Sequence, residues 1–76
     1  MMDLRSELLA RLDKVDSYLN QSYGVSRLYA LGRVLEIESF AFSLRNGGLL
    51  TVQQFDEIDN AAEHIRNRHS LKAAYQ

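Results

Sequence analysis

The stretch that decides the fold is residues 27–48, which read RLYALGRVLEIESFAFSLRNGG. At 100° per residue, the apolar side chains of a helix over 26–45 fall into two separate stripes. The first stripe consists of Leu28, Leu31, Leu35 and Phe42. The second stripe consists of Ala30, Val34, Ile37, Ala41 and Leu44. Because two apolar stripes exceed what one neighbouring helix covers, this second helix is expected to contact more than one surface.

The two stripes allow two interpretations. In the first, the second helix is central and packs one stripe on each of two neighbouring helices. In the second, one stripe packs inside the subunit and the other joins two copies of the chain, which would supplement a small core. The predicted homodimer interface consists of Ala30, Val34, Ile37, Ala41 and Leu44. The sequence leaves the internal-core alternative open.

Two further helices are predicted. Over residues 3–22, apolar side chains recur at spacings of 4, 4, 3 and 4, which is one helical stripe. It consists of Leu4, Leu8, Leu12, Val15 and Leu19. Residues 52–69 follow a capping box, in which Thr51 and Gln54 satisfy each other's free backbone amides. Acidic residues fill the first half of this helix and basic residues the second, which matches the helix dipole.

The whole chain therefore predicts a single helical domain over residues 1–76, with residues 70–76 frayed. The fold class is all-α, a small three-helix bundle of antiparallel helices that associates through its second helix. A chain of 76 residues buries only about 60% of its unfolded surface. It has no Cys, so neither a disulfide nor a thiolate-bound metal supplements the core.

A strip on the second helix is the predicted partner-binding site. It consists of Tyr29, Arg33, Glu36 and Phe40. Aromatic residues and arginine dominate the binding energy of protein interfaces. Beside it, Gly32, Ser39 and Ser43 form a stripe of small residues that allows another backbone to approach closely. Glu38 lies among apolar neighbours and is expected to pair with Arg45, Arg27 or an arginine of another helix.

The sequence offers little for catalysis or metal binding. Cys is absent, and no Gly-x-Ser-x-Gly motif occurs. His64 and His69 are five positions apart, so they point to different sides of a helix. We therefore expect no enzyme activity, no catalytic residue, no metal site and no cofactor.

The charge is nearly balanced, with 9 Lys and Arg against 10 Asp and Glu. No global field draws such a chain to nucleic acid or to an anionic membrane. No apolar run approaches the ~20 residues of a membrane span, and the first residues do not resemble a signal peptide. A cytoplasmic location without membrane contact is the expectation.

The function predicted from these features is non-enzymatic. The chain binds another protein and regulates, inhibits or escorts it, as small phage or plasmid inhibitors and adaptors do at the level of size and class. The alternative is a nucleic-acid-binding regulator. It would use the basic half of the third helix, which contains Arg66, Arg68, His69 and Lys72.

Overall fold

The computed structural model describes residues 3–21 and 27–71, and this part of the chain contains three α-helices. These are α1 (Leu4–Gln21), α2 (Arg27–Asn46) and α3 (Val52–Arg68). Each helix packs against both others, which confirms the predicted all-α three-helix bundle. The predicted helix boundaries differ from the observed ones by one residue at most.

The helices run up, down and up, as ion pairs between α1 and α3 show. Arg5 near the start of α1 contacts Glu57 near the start of α3. Asp16, towards the end of α1, accepts hydrogen bonds at 2.7 Å from Arg68 and His69 at the end of α3. Since like ends meet, α1 and α3 are parallel to each other and α2 is antiparallel to both.

All three helices contribute to one hydrophobic core. The buried apolar residues are Leu8, Leu12, Ala30, Leu31, Val34, Ile37, Ala41, Leu50, Ile58, Ala62, Ile65 and Leu71. Leu12, Val34 and Ile58, one from each helix, are the largest side chains with almost no exposed surface. They mark where the three helices converge, so truncation there leaves a cavity that no single helix can close.

Side-chain caps start both α1 and α3. The Asp3 carboxylate oxygen Oδ1 accepts a hydrogen bond from the Ser6 backbone amide, with an N–O distance of 2.7 Å. This hydrogen bond lowers the pKa of Asp3. At α3, the Gln54 amide donates to the Thr51 hydroxyl and the Thr51 amide donates to the Gln54 side chain, both at 3.0 Å. The predicted capping box is therefore confirmed.

The turn between α2 and α3 depends on one glycine. Gly48 has φ of 78°, a left-handed conformation that favours glycine. The Leu49 amide then donates to the Leu44 carbonyl at 2.9 Å, which closes the end of α2. The next residue, Leu50, is buried in the core directly before the Thr51 cap. The turn thus anchors the start of α3 through an apolar side chain as well as a cap.

The end of α3 differs from the prediction of fraying from residue 70. Ser70 has φ of 55°, and the Leu71 amide donates to the Arg66 carbonyl at 2.8 Å. Leu71 is buried, so this turn returns the chain to the core. Residues 72–76 of the predicted frayed end lie outside the described residues, as does the 22–26 connection.

Candidate protein-binding surface

The stripe that the sequence assigned to a dimer interface lies on the inner face of α2, against the other two helices. Ala30, Val34, Ile37 and Ala41 are buried, and Leu44 is partly buried against the core. Because α1 and α3 already cover these side chains, they are not available to a second copy of the folded chain. The prediction of a dimer interface at these five residues is corrected: they form the internal core stripe that the sequence left as the alternative.

The other apolar stripe of α2 remains at the surface. Leu31 alone is buried, whereas Leu28, Leu35 and Phe42 are 65%, 47% and 48% exposed. These three exposed apolar side chains lie along one face of α2, which makes that face a candidate interaction surface. Of the two apolar stripes, the one that includes Leu35 is therefore the one that the other two helices leave largely uncovered.

A strip of small residues runs along the same exposed side of α2. Gly32 and Ser39 are both exposed, each between two of the large apolar residues. A Cβ added to Gly32 meets no atom within 4 Å. Packing within the subunit therefore does not require glycine at this position, although glycine lowers helix stability by about 1 kcal/mol relative to alanine.

A groove of about 660 Å³ lies between α1 and α2. Its described lining consists of Arg11, Lys14, Val15 and Tyr18 from α1 and Tyr29, Ala30 and Arg33 from α2. Three cationic and two tyrosine side chains thus meet around an apolar floor. Tyrosine and arginine are the residue types that most often anchor a protein interface.

The charges at this groove are only partly neutralised. Arg11 pairs with Glu7 at 2.9 Å and Arg33 with Glu36 at 3.6 Å, both along one helix and both exposed. Such exposed pairs contribute little to stability, so their partners exchange readily. Among the ion pairs of the described residues, none includes Lys14. The groove therefore offers one unpaired and two weakly held cations.

The four predicted partner-binding residues occupy this side of the molecule. Tyr29 and Arg33 line the groove, Glu36 is exposed beside Arg33, and Phe40 is half-exposed one turn further along α2. The sequence prediction missed the contribution of α1. Its signal was present, since Arg11, Lys14 and Tyr18 follow a helical spacing of three and four. The spacing within α1 does not show that this face of α1 lies beside Tyr29 of α2.

An aromatic and cationic cluster lies at the opposite edge of α2. The rings of Phe42 and Phe55 pack edge to face with centroids 6.0 Å apart. The Arg45 guanidinium lies 4.7 Å from each ring centroid. Arg45 therefore contacts aromatic rings rather than Glu38, which the sequence proposed as one of its partners.

Glu38 pairs with an arginine of another helix, the third of its predicted alternatives. Its carboxylate contacts the Arg66 guanidinium of α3, and the Glu38 side chain is only 15% exposed. Burial raises the pKa of Glu38 to about 7, and a hydrogen bond with Asp59 adds to the effect against the attraction of Arg66. Near neutral pH, a substantial fraction of Glu38 is therefore protonated.

We expect Glu38→Gln to remove a pH dependence of stability. Because the pKa of Glu38 is higher in the folded chain than its ordinary 4.5, its stabilising contribution is complete below pH 4.5 and is lost as pH rises through 7. At pH 8, the glutamine variant should be more stable by about 1–2 kcal/mol, a value reduced for solvent screening. At pH 4.5, the two proteins should unfold alike.

Urea titrations at pH 4.5 and pH 8 measure this difference. The exposed Glu36→Gln variant is the control and should show no such change between the two pH values. An equal effect of Glu38→Gln at both pH values would contradict the assignment of the pH dependence to this carboxyl.

The basic residues at the end of α3 are engaged within the bundle. Arg66 contacts Glu38, and Arg68 contacts Asp16. His69 also contacts Asp16, and its side chain is mostly buried. Lys72, the fourth member of the predicted basic cluster, lies outside the described residues. Three of the four side chains on which nucleic-acid binding would depend thus already have acidic partners.

Within residues 3–21 and 27–71, no group of three His, Cys, Asp or Glu side chains is arranged to hold a metal ion. None of the helices described there is long and apolar enough to cross a membrane. No family model matches the chain, and neither curated proteins nor solved structures include a significant match.

Proposed function

We propose that this chain is a non-enzymatic binding protein, which attaches to another protein and regulates, inhibits or escorts it. The observation that carries the proposal is the groove between α1 and α2, where two tyrosines and three cations surround an apolar floor. Binding there would cover part of the partner's surface, and this steric masking requires no chemistry from the chain itself.

The residue types at the groove suit this role. Tyr18 and Tyr29 are both largely exposed, so each can lay a rigid ring on a partner at a small cost in side-chain entropy. Arg11 and Arg33 can exchange their exposed glutamates for carboxylates of the partner. Apolar anchors would thus provide affinity, and the charges would orient the partner.

The position of the groove also suits a binding site on a small bundle. It lies between two helices whose relative position is fixed by Leu8, Leu12, Ala30 and Val34 in the core. Binding residues on such rigid elements need little reorganisation when a partner arrives. The cytoplasmic location expected from the sequence is part of the same proposal.

Affinity capture from the native host, with a nuclease-treated extract, tests the proposal. The unmodified chain should retain a specific protein, whereas Arg33→Glu and Tyr18→Ala should each lower its recovery at least about tenfold, as expected for interface anchors. The control is His64→Ala, which changes an exposed residue of α3 and should leave recovery unchanged.

Equal recovery by all four proteins would contradict binding at the groove. Recovery of nucleic acid alone from an untreated extract would instead favour the alternative, which needs the basic end of α3. Circular dichroism of each variant confirms that a loss of binding does not reflect unfolding.

A further inference from the structure

We propose that the outer face of α2 binds the same face of a second copy of this chain, with the two helices antiparallel. The outer face consists of Leu28, Gly32, Leu35, Ser39 and Phe42. It is separate from the floor of the groove between α1 and α2, and only its flank shares Tyr29 and Glu36 with the partner-binding residues. Arg11, Lys14, Tyr18 and Arg33 lie outside the dimer contacts, so the dimer and the proposed function can be tested separately.

The spacing along the outer face is that of a helix–helix seam. Its residues follow one another at intervals of 4, 3, 4 and 3, the a and d positions of two heptads. At 1.5 Å per residue, the face is about 21 Å long. None of its five side chains is ionised, and its three large members are about half exposed or more.

The alternation of large and small side chains points to a second copy as the occupant. In the antiparallel register that we propose, Leu35 of one copy faces Gly32 of the other, and Leu28 faces Ser39. Leu28 and Leu35 then each meet a small residue, and the two-fold axis repeats both contacts, while Phe42 lies beyond these paired positions. A parallel pair in register would instead place leucine against leucine and glycine against glycine, which leaves gaps between the helices.

In the antiparallel register, the flanks of the two helices also bring together side chains that can form a hydrogen bond. Tyr29 and Glu36 lie on the same flank of the outer face, at helical positions on the side away from α3. The register places the Tyr29 phenol of one copy near the Glu36 carboxylate of the other. A phenol donates a hydrogen bond to a carboxylate, whereas a shift that brought the two Glu36 side chains together would be repulsive.

The close approach of a second helix accounts for Gly32. An added Cβ there meets nothing within 4 Å in the subunit, so glycine is not needed for the fold of one chain. It nonetheless disfavours the helix. A glycine in a seam permits the partner's Leu35 to approach the backbone.

The variant Gly32→Leu separates the dimer from the fold. Leucine is a better helix former, and an added Cβ at exposed Gly32 meets no atom within 4 Å in the single chain, so the variant should melt at the same or a higher temperature when measured at low concentration. In sedimentation equilibrium, the unmodified chain should have twice its mass of 8.7 kDa at micromolar concentration and Gly32→Leu should have one chain mass. Asn60→Leu, on the exposed side of α3, should keep the mass of two chains.

Two results would overturn the proposal. One is an unmodified chain that is monomeric up to about 100 µM, above the dissociation constants of most specific dimers. The other is a Gly32→Leu variant that keeps the mass of two chains. Arg33→Glu should remain dimeric and Gly32→Leu should still capture the partner protein, so failure of the dimer and failure of the proposed function are distinguishable.

Cross-linking tests the orientation, because the chain contains no cysteine. A disulfide forms when the two Cα atoms are within about 7 Å. In the proposed register, a mixture of Leu28→Cys and Ser39→Cys chains should cross-link to each other. Neither variant should cross-link to itself, since identical positions are about 16 Å apart along the helix. Self-cross-linking of each variant without mixed products would show a parallel pair and overturn the antiparallel register.

Discussion

Ile37→Asp is expected to unfold the protein rather than to separate two folded copies. Ile37 is buried in the core between α2 and the other two helices. An unpaired carboxylate at such a site destabilises a fold by about 4 kcal/mol or more, which is close to the whole stability of a domain of this size. Far-ultraviolet circular dichroism at 25 °C should show loss of most of the helical signal.

The sequence alone assigned Ile37 to a dimer interface, so this variant distinguishes the two assignments. A helical, monomeric Ile37→Asp protein would show that the residue faces a second copy and that the inner face of α2 is not core. Ile37→Val, which keeps the apolar character and removes one methylene, is the matched control. It should remain helical and lose only about 1 kcal/mol of stability.

Leu12→Ala is expected to produce the second large effect, a loss of 2–5 kcal/mol in the free energy of unfolding. Leu12 has almost no exposed surface and lies where α1 meets the other two helices. A cavity there is bordered by three helices that are fixed by their remaining core contacts, so it cannot collapse fully. Urea unfolding followed by circular dichroism measures the change.

Leu4→Ala provides the comparison for Leu12→Ala, because it makes the same change on the same helix. Leu4 is exposed, and its truncation should cost less than about 1 kcal/mol. Equal losses for the two variants would mean that α1 does not bury its Leu8 and Leu12 side as the structure describes.

The fold was predictable because its signals are local. The capping box at Thr51 and Gln54 and the single stripe of α1 each depend on residues within a few turns of one helix. The two glycines at 47 and 48 mark the end of α2 in the same way, and Gly48 alone takes the left-handed conformation. Helices with such boundaries and short connections have few alternative arrangements.

The assignment of the two stripes of α2 was not predictable from apolarity. Both stripes contain large aliphatic residues, so a helical wheel ranks them as equals. The structure suggests why the stripe with Ala30 and Ala41 is internal: its small side chains allow close approach of α1 and α3. The stripe with Leu28 and Phe42 is bulkier and remains outside, apart from Leu31.

The polar contacts between different helices could not be predicted from the sequence either. Asp16 meets Arg68 and His69 across 52 and 53 positions, and Glu38 meets Arg66 across 28. No periodicity within one helix predicts such partners, because they depend on the direction of α3 relative to α1 and α2. The groove between α1 and α2 escaped prediction for the same reason.

α2 uses one apolar face for the core, and in the proposed dimer its other face joins two copies of the chain. Sedimentation and circular dichroism of Leu35→Asp test this use of the two faces most directly, since Leu35 is only two positions from Ile37 and receives the same aspartate. Leu35→Asp should give a helical protein with the mass of one chain. A Leu35→Asp protein that is unfolded, or one that keeps the mass of two chains, would contradict this use of the two faces.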